Sequence, residues 1–175
     1  MSTKRIVFVS RLDKDCSLGA FLLCKIAPSL IKLYNEIEIY IVGGGEEYNK
    51  ISSLAAKINA KFNHKLIFAT GYSNNPSLYF TKETLFVGVS RSAIEAMAHK
   101  IPVILLGNEG YLGLLEKSNH QSAIKTNLTC RNSKKIVSSN VLLQEINRFF
   151  SMTKEERENL SNFSFKIAKK YFSAE

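Results

Sequence analysis

The stretch IEIYIVGGGEEYNKISSLAAKINAK, residues 37–61, holds a strand, a turn and a helix in succession. Residues 37–42 are an apolar, β-branched run that predicts a strand, and three glycines follow as a turn. Apolar side chains then recur at helical spacing, at Ile51, Leu54, Ala55 and Ile58. Because a strand followed directly by a helix is the repeating unit of parallel sheets, we predict a helix over residues 46–61 within an α/β fold.

The same alternation extends to both sides of this stretch. Similar runs predict strands over residues 4–10, 65–69, 84–89 and 102–106. Apolar periodicity predicts helices over residues 18–34 and 92–99. Parallel neighbours need crossover connections of this kind, so the sequence predicts a Rossmann-like parallel sheet with helices on both faces. Pro28 is expected to kink or divide the helix in which it lies.

The carboxyl-terminal part of the chain has a different pattern. Residues 142–150 and 153–172 predict two closing helices, and the second begins with a capping box at Thr153-Lys154-Glu155-Glu156. No internal repeat, low-complexity tract or linker interrupts the sequence. Residues 1–175 are therefore predicted to form a single domain.

Composition limits the classes of protein that fit. A chain of 175 residues that is 45% apolar excludes disordered and collagen-like proteins. Three cysteines without a CxxC pair predict neither a disulfide framework nor a zinc site, and they favour a reducing, cytoplasmic compartment. No apolar stretch approaches the length of a membrane span. The net charge of +9 predicts attraction to anions: phosphates, nucleic acid or an acidic membrane face.

The loops at the carboxyl ends of the predicted strands carry the candidate binding residues, because ligands of open parallel sheets bind there. Arg11 and Lys14 follow the first strand and suit a diphosphate, although they also fit a solvated loop. The turn at residues 43–45 permits close approach of a ligand, or serves only the connection. It does not complete a GxGxxG fingerprint, because Tyr48 stands where the third glycine would be.

Two later loops add to this set. Small hydroxyl residues at 90–92 begin a predicted helix, whose free amides and dipole favour a phosphate. Glu95, one turn further on, can accept hydrogen bonds from the vicinal hydroxyls of a ribose, although a capped helix with a surface glutamate also fits. Residues 108–111 suit a sugar contact and a simple turn equally. The three histidines are scattered, so we assign no catalytic residue and no metal ligand.

Four ordered motifs carry a resemblance to a known family. They are VFVSRL at residues 7–12, IYIVGGGE at residues 39–46, the segment from Ile67-Phe68 to Gly71-Tyr72, and EAMAHKIPVI at residues 95–104. In order and spacing they resemble the carboxyl-terminal, nucleotide-sugar-binding domain of GT-B glycosyltransferases, especially the family 4 group. The resemblance covers almost the whole chain.

The resemblance implies roles for particular residues. Arg11, with Lys14, would bind the donor diphosphate, and the Gly71-Tyr72 loop would lie near the base. Glu95 would hold the ribose hydroxyls, and backbone amides around residues 91–93 would hold the phosphates. The donor-binding set implied in this way is Arg11, Lys14, Gly44, Gly71, Tyr72, Arg91, Ser92, Ala93 and Glu95. No cofactor and no metal is required, because positive groups and a helix dipole would stabilise the departing diphosphate.

The chain also departs from the family pattern. Cys16 and Ser17 stand where the family has lysine and glycine, and Val87 stands where its E-x7-E element has the first glutamate. The loop before Ser92 is short, a form that resembles the inverting lipid-linked transferases. Retaining and inverting chemistry therefore both stay open.

The resulting expectation is the donor domain of a glycosyltransferase that uses a UDP- or GDP-sugar and a polysaccharide or glycolipid acceptor. The amino-terminal acceptor domain of GT-B enzymes is expected to be a missing domain or a separate partner chain, and this domain alone is expected to be inactive. Peripheral contact with the inner membrane face is a further expectation.

Two alternatives are carried beside it. One is a protein similar to the sugar-nucleotide 2-epimerases of GT-B type, which would need several carboxylates and a histidine around the donor. The other is a non-catalytic basic module that binds nucleic acid or an anionic membrane. We favour this module least, and nucleic acid is not an expected partner, because lysines and arginines are spread along the chain.

Overall fold

The computed structural model describes residues 3–133, 135 and 137–173, and it contains one six-stranded sheet of order β3-β2-β1-β4-β5-β6. The strands are β1 (Lys4–Val9), β2 (Ile37–Val42), β3 (Ile67–Gly71), β4 (Thr84–Gly88), β5 (Val103–Gly107) and β6 (Gly110–Leu114). The helices are α1 (Leu18–Leu33), α2 (Tyr48–Phe62), α3 (Ser90–Ala98), α4 (His120–Lys125), α5 (Ser139–Phe150) and α6 (Lys154–Tyr171). The predicted Rossmann-like α/β fold is confirmed.

Alternate side chains of the central strands supply two hydrophobic cores, one on each face of the sheet. Ile6 and Phe8 of β1 point to the face covered by α1, α2 and α5. Val7, the residue between them, points to the face covered by α3 and α6. The sheet is therefore buried on both faces, as the near-continuous apolar runs of its parallel strands require.

The helix around Pro28 is continuous, so the expectation that Pro28 divides it is wrong. Helix α1 runs unbroken for 16 residues. Proline has no amide N–H, so the α1 ladder lacks one bond at this position. Leu23, Ala27 and Leu30 are fully buried on the inner face of α1, and their burial offsets that loss.

Three elements were not predicted: strand β6, helix α4 and a single 3₁₀ turn at Pro76–Tyr79. Strand β6 pairs antiparallel with β5 through a two-residue turn, with Gly107 opposite Gly110. Within the 108–111 segment, Asn108 and Glu109 form this turn, whereas Gly110 and Tyr111 belong to β6. The six-residue helix α4 follows. The predicted capping box of α6 is confirmed, because the Thr153 hydroxyl accepts from the Glu156 amide at 3.1 Å and the Glu156 carboxylate accepts from the Thr153 amide at 3.2 Å.

Side chains close both edges of the sheet. On β3, the Asn59 amide group donates to the Ile67 carbonyl and accepts from the Ile67 amide, each at 2.9 Å. On β6, Asn119 donates to the carbonyls of Leu112 and Leu114 at 3.1 and 2.9 Å. Asparagine side chains therefore take up backbone groups that a neighbouring strand would otherwise use.

No helix among the described residues is long and apolar enough to cross a membrane. The expectation of a cytoplasmic location stays a prediction.

Glu145 fastens α5 to β6. Its carboxylate accepts from the Leu114 amide at 3.0 Å and from Arg148 at 2.7 Å, and Arg148 also binds Glu116 at 2.7 Å. Burial raises the pKa of Glu145, but the hydrogen bonds from Arg148 and Leu114 outweigh that effect and hold the pKa below its usual value. Glu145 therefore stabilises the contact between α5 and β6 in its charged form.

We predict that Glu145→Gln lowers the free energy of unfolding by about 1–3 kcal/mol at pH 7, because charge-assisted hydrogen bonds are weakened. Since the folded-state pKa is lowered, the contribution of Glu145 is present above its unfolded pKa and is lost as pH falls through the folded value. Urea unfolding at several pH values measures this difference, which should shrink below about pH 4. Glu158→Gln, at an exposed position on α6, is the matched control. An identical pH dependence for Glu145→Gln and wild type would contradict the prediction.

Candidate functional site

Two adjoining cavities lie at the carboxyl edge of the sheet. The first lies at the ends of β1 and β4, where the strand order changes direction, and the second lies beside it at the ends of β1 and β2. Their volumes are about 230 Å³ and about 210 Å³. Both are lined by Val9, Ser10, Arg11 and Ser92, so one residue of α3 and the end of β1 form the wall between them. Open parallel sheets bind their ligands at this topological switch point.

Gly43 and Gly44 of the turn after β2 both line the second cavity, but only Gly44 has space for a side chain. A side chain on Gly43 would overlap the Ser10 carbonyl, and one on Gly45 would lie 2.5 Å from the Asp13 carboxylate; both residues have φ near +150°. A Cβ on Gly44 would meet only Tyr72, at an ordinary 3.7 Å. Gly44 lines the second cavity, so its missing side chain leaves room there for a ligand.

The loop after β1 presents a cation and holds it with a carboxylate. Arg11 is largely exposed and pairs with Asp13 at 2.9 Å. The other oxygen of Asp13 accepts from the Glu46 amide at 3.1 Å, which fixes that carboxylate against the start of α2. Lys14 is exposed and lines neither cavity; its amide donates to Glu46 at 2.9 Å. The structure thus brings Arg11 to the cavities but not Lys14.

One group of side chains in this loop has metal-ligand chemistry. Single ligand atoms of Asp13, Asp15 and Cys16 lie within 4.8 Å of one another. Arg11 already pairs with both carboxylates, at 2.9 and 4.0 Å. The carboxylates of Asp13 and Asp15 therefore already have a cationic partner, the guanidinium of Arg11.

The start of α3 offers backbone donors to both cavities. The Ser90 amide donates to the Leu128 carbonyl at 2.8 Å, and the Ala93 amide donates to the Val89 carbonyl at 3.4 Å. In the described part of the chain, the amides of Arg91 and Ser92 have no acceptor. Free amides at a helix N-terminus attract anions. Of the residues predicted at 91–93, Ser92 lines both cavities, Arg91 is exposed and lines neither, and Ala93 is a core residue.

The backbone at this helix start is itself unusual. Ser90 has φ of +57°, in the left-handed region that non-glycine residues seldom adopt. The Ser92 hydroxyl donates to the Val89 carbonyl at 3.0 Å, so it stabilises the turn and leaves the Ser92 amide free. Strained backbone of this kind is found preferentially at functional sites.

Of the predicted residues Gly71, Tyr72 and Glu95, only Tyr72 lines the second cavity. Tyr72 lines it with a side chain that is 81% exposed, and Gly71 precedes it with φ of +79°. Glu95 is half-buried and stands three residues after Ser92, on the same face of α3. Glu95 does not line either cavity, so it lies behind Ser92 along the helix.

The first cavity is lined by Asn108 and Glu109 of the candidate segment 108–111, and also by two residues that the sequence did not single out for binding. Arg131 and Thr129 line it from the segment that follows α4, and Arg131 pairs with Glu109 at 2.8 Å. Asn108 also lines it and ties the cavity together, since it accepts from the Leu18 amide at 3.1 Å and donates to the Lys14 carbonyl at 3.1 Å. No periodic pattern marks residues 126–133, so no sequence signal pointed to Arg131.

Comparison with known proteins adds to this geometry. The family described as glycosyl transferases group 1 matches residues 1–162. No curated protein matches the chain. Among solved structures, the C-terminal domain of the glycosyl transferase group 1 family protein LpcC from Francisella tularensis is 16% identical, with a TM-score of 0.64, over 100% of this chain and 89% of that one.

Two longer proteins have the same fold in part. A TarM mutant of S. aureus, in complex with fondaparinux, alpha-GlcNAc-glycerol and UDP, is 21% identical with a TM-score of 0.61 over 98% of this chain. HepE from Anabaena, in complex with UDP and glucose, is 16% identical with a TM-score of 0.62 over 98% of this chain. The chain spans 33% of the TarM chain and 45% of the HepE chain.

We predict that Gly43→Ala and Gly44→Ala differ sharply in stability. Gly43→Ala should cost at least about 2 kcal/mol, because it combines unfavourable φ with overlap against the Ser10 carbonyl. Gly44→Ala should change the free energy of unfolding by less than about 1 kcal/mol, because its new methyl group meets only an ordinary contact. Chemical denaturation measures both values. Equal losses would contradict the assignment of Gly44 to the cavity rather than to the fold.

We also predict that Cys16 is the thiol that reagents reach. Burial raises the pKa of Cys24 to about 12 and that of Cys130 to about 11. Partial burial also raises the pKa of Cys16, but this residue lines the first cavity. Iodoacetamide at mildly alkaline pH should therefore modify one thiol per folded chain, faster as pH rises, and mass spectrometry should place it at Cys16. Modification of Cys24 or Cys130 at the same rate would contradict this prediction.

Proposed function

The chain belongs to the glycosyl transferases group 1 family, and on that premise we propose that it binds the nucleotide-sugar donor of a glycosyltransferase. The observation that carries this proposal is the arrangement at the switch point. There, Arg11 and Ser92 line both of two cavities that share one wall, and the amides of Ser92 and of its neighbour Arg91 are free. Positive groups at this position suit a diphosphate.

The second cavity supports a place for the nucleoside. Tyr72 offers an exposed aromatic face against which a base can pack, and Gly44 leaves space beside it. We assign the ribose hydroxyls to Glu95, whose carboxylate can accept two hydrogen bonds. Glu95 does not line the cavity, so contact with a ribose requires its side chain to turn toward Ser92.

The donor that we propose is a UDP-sugar. The TarM and HepE structures contain UDP, and HepE also contains glucose. We propose that the sugar extends from the diphosphate toward the first cavity, where Asn108, Glu109 and Arg131 supply polar contacts. Binding is proposed to require no metal, since the chain supplies its own cations.

Transfer would follow from stabilisation of the leaving group. When the bond between the sugar and the diphosphate breaks, negative charge develops on the diphosphate oxygen. Arg11, the amides of Arg91 and Ser92 and the positive end of the α3 dipole would stabilise that charge in fixed positions. The acceptor hydroxyl would form the new glycosidic bond and lose its proton, and we assign no residue of this chain as its base.

We propose that the acceptor, a polysaccharide or glycolipid, is held by a second domain or by a partner chain. The chain spans about a third of the TarM chain and matches most of an isolated C-terminal domain. We accordingly expect this chain alone to bind UDP without transferring sugar. Epimerisation is not favoured, because no histidine of the described residues lines either cavity.

Titration calorimetry with UDP, GDP, ADP and CMP tests the proposal. We predict that UDP binds most tightly, with and without EDTA, and that Arg11→Ala weakens it about 10- to 100-fold, because a charge-assisted contact to phosphate is lost. Lys154→Ala, which removes a similar charge at an exposed position on α6, is the control and should bind normally.

Comparison of UDP with 2′-deoxy-UDP tests the role of Glu95. Glu95→Gln should weaken UDP more than 2′-deoxy-UDP, because only UDP offers both hydroxyls to the carboxylate. Equal weakening of both ligands would remove Glu95 from the ribose site. Absence of binding by every nucleotide, in a chain that is folded by circular dichroism, would overturn the proposed function.

A further inference from the structure

Helices α1 and α2 carry an unusual concentration of positive charge. Their 16 and 15 residues include five lysines and no aspartate or glutamate, and so account for five of the nine net positive charges. We propose that the lysine face, defined as Lys25, Lys32, Lys50, Lys57 and Lys61, binds the surface of an anionic lipid bilayer. This proposal is independent of nucleotide binding.

The lysines lie on the outer side of each helix. Lys25 and Lys32 are seven residues apart on α1, and Lys50 and Lys57 are seven apart on α2, so each pair occupies one helical face. Lys61 follows Lys57 by one turn. All five are exposed, whereas the opposite sides of both helices are buried against the sheet.

The two helices lie side by side, so their lysines form one surface. Both cover the same face of the sheet, and the Lys50 ammonium lies 5.4 Å from the centre of the Phe21 ring of α1. The lysines that are spread along the sequence are therefore gathered in space. The sequence alone, in which these lysines are separated, did not indicate a basic surface, because the surface forms only when α1 and α2 pack together.

Acidic groups lie at the margins of this surface rather than within it. Glu36 follows α1, and Glu46 and Glu47 precede α2. On the neighbouring α5, Glu145 is already paired with Arg148. The field above the middle of the lysine face is thus uniformly positive, which favours an extended anionic partner.

The composition of the face favours lipid headgroups over nucleic acid. All five cations are lysines, which act as point charges, and none is an arginine with the fork that binds a phosphate in two places. Leu33, at the end of α1, is 53% exposed beside Lys32 and can enter the interfacial layer of a bilayer. No aromatic side chain of α1 or α2 is among the exposed large hydrophobics that could stack on bases.

Binding through this face would leave the cavities accessible. The helices cover a face of the sheet, while the cavities open at the carboxyl edge of the strands. A chain resting on α1 and α2 would therefore present that edge sideways along the bilayer. An acceptor anchored in the same bilayer could then approach the edge without leaving the lipid surface.

Sedimentation with lipid vesicles tests the proposal. The variant Lys25→Gln/Lys57→Gln/Lys61→Gln is compared with Lys166→Gln/Lys169→Gln/Lys170→Gln, which removes the same charge from exposed positions on α6. Vesicles contain phosphatidylcholine alone or with phosphatidylglycerol. Each lysine near an anionic surface strengthens binding about fivefold, so the first variant should lose about 100-fold on anionic vesicles. The α6 variant should lose far less.

Three outcomes would overturn the proposal. Equal losses by the two variants would show a response to net charge alone. No binding of the wild-type chain to anionic vesicles at low salt would show that the face does not bind lipid. Tighter binding to single- or double-stranded oligonucleotides than to vesicles would assign the face to nucleic acid. Thermal unfolding confirms that both variants are folded, and UDP titration, which should be unchanged, separates this test from that of the proposed function.

Discussion

The backbone contact between the loops that follow β1 and β2 is the constraint on which the site depends. The Ser10 amide donates to the Val42 carbonyl at 3.1 Å, the Leu12 amide donates to the Gly44 carbonyl at 2.9 Å, and the Glu47 amide donates to the Leu12 carbonyl at 2.7 Å. These bonds extend the pairing of the two strands beyond the sheet. Leu12 is fully buried by them, and its neighbour Arg11 is consequently turned outward over the cavities.

The two arginines at the site, Arg11 and Arg131, can exchange their carboxylate partners for another anion. Arg11 pairs with Asp13 and Arg131 pairs with Glu109, and all four side chains are substantially exposed. Exposed ion pairs contribute at most about 1 kcal/mol, whereas a hydrogen bond to a charged group contributes about 1.5–3 kcal/mol. The diphosphate that we propose as ligand would therefore displace these carboxylates at small cost. Meanwhile the pairs keep both guanidinium groups oriented at the rim.

The sequence predicted the parallel part of the fold because its strands are buried on both faces. Residues 37–42 illustrate this, since a run of apolar residues interrupted only by Glu38 and followed by a glycine turn is typical of a buried parallel strand. The strand of residues 110–114 escaped prediction because it contains two glycines in five residues and pairs antiparallel with its predecessor. The expectation that Pro28 divides α1 is wrong because tertiary packing of the helix outweighs the loss of one hydrogen bond.

The structure brings predicted residues to the cavities where they lie close to the end of a strand. Arg11, Gly44 and Tyr72 lie within two residues of the ends of β1, β2 and β3, and all three line a cavity. Lys14 and Ala93 were included by proximity in sequence, but the structure turns the first to solvent and buries the second. Their roles stay predictions, as do those of the rest of the set. Arg131 reaches the site through tertiary packing, which no local pattern encodes.

The side chains that close the sheet edges have a consequence for the behaviour of the chain in solution. An edge strand with free amides and carbonyls is a template on which another chain can add a strand. Here Asn59 bonds β3, while Asn119, Glu145 and Ser133 bond β6, so that four short polar side chains take the place of a neighbouring strand. These bonds therefore disfavour the addition of a strand from another copy of the chain at either edge.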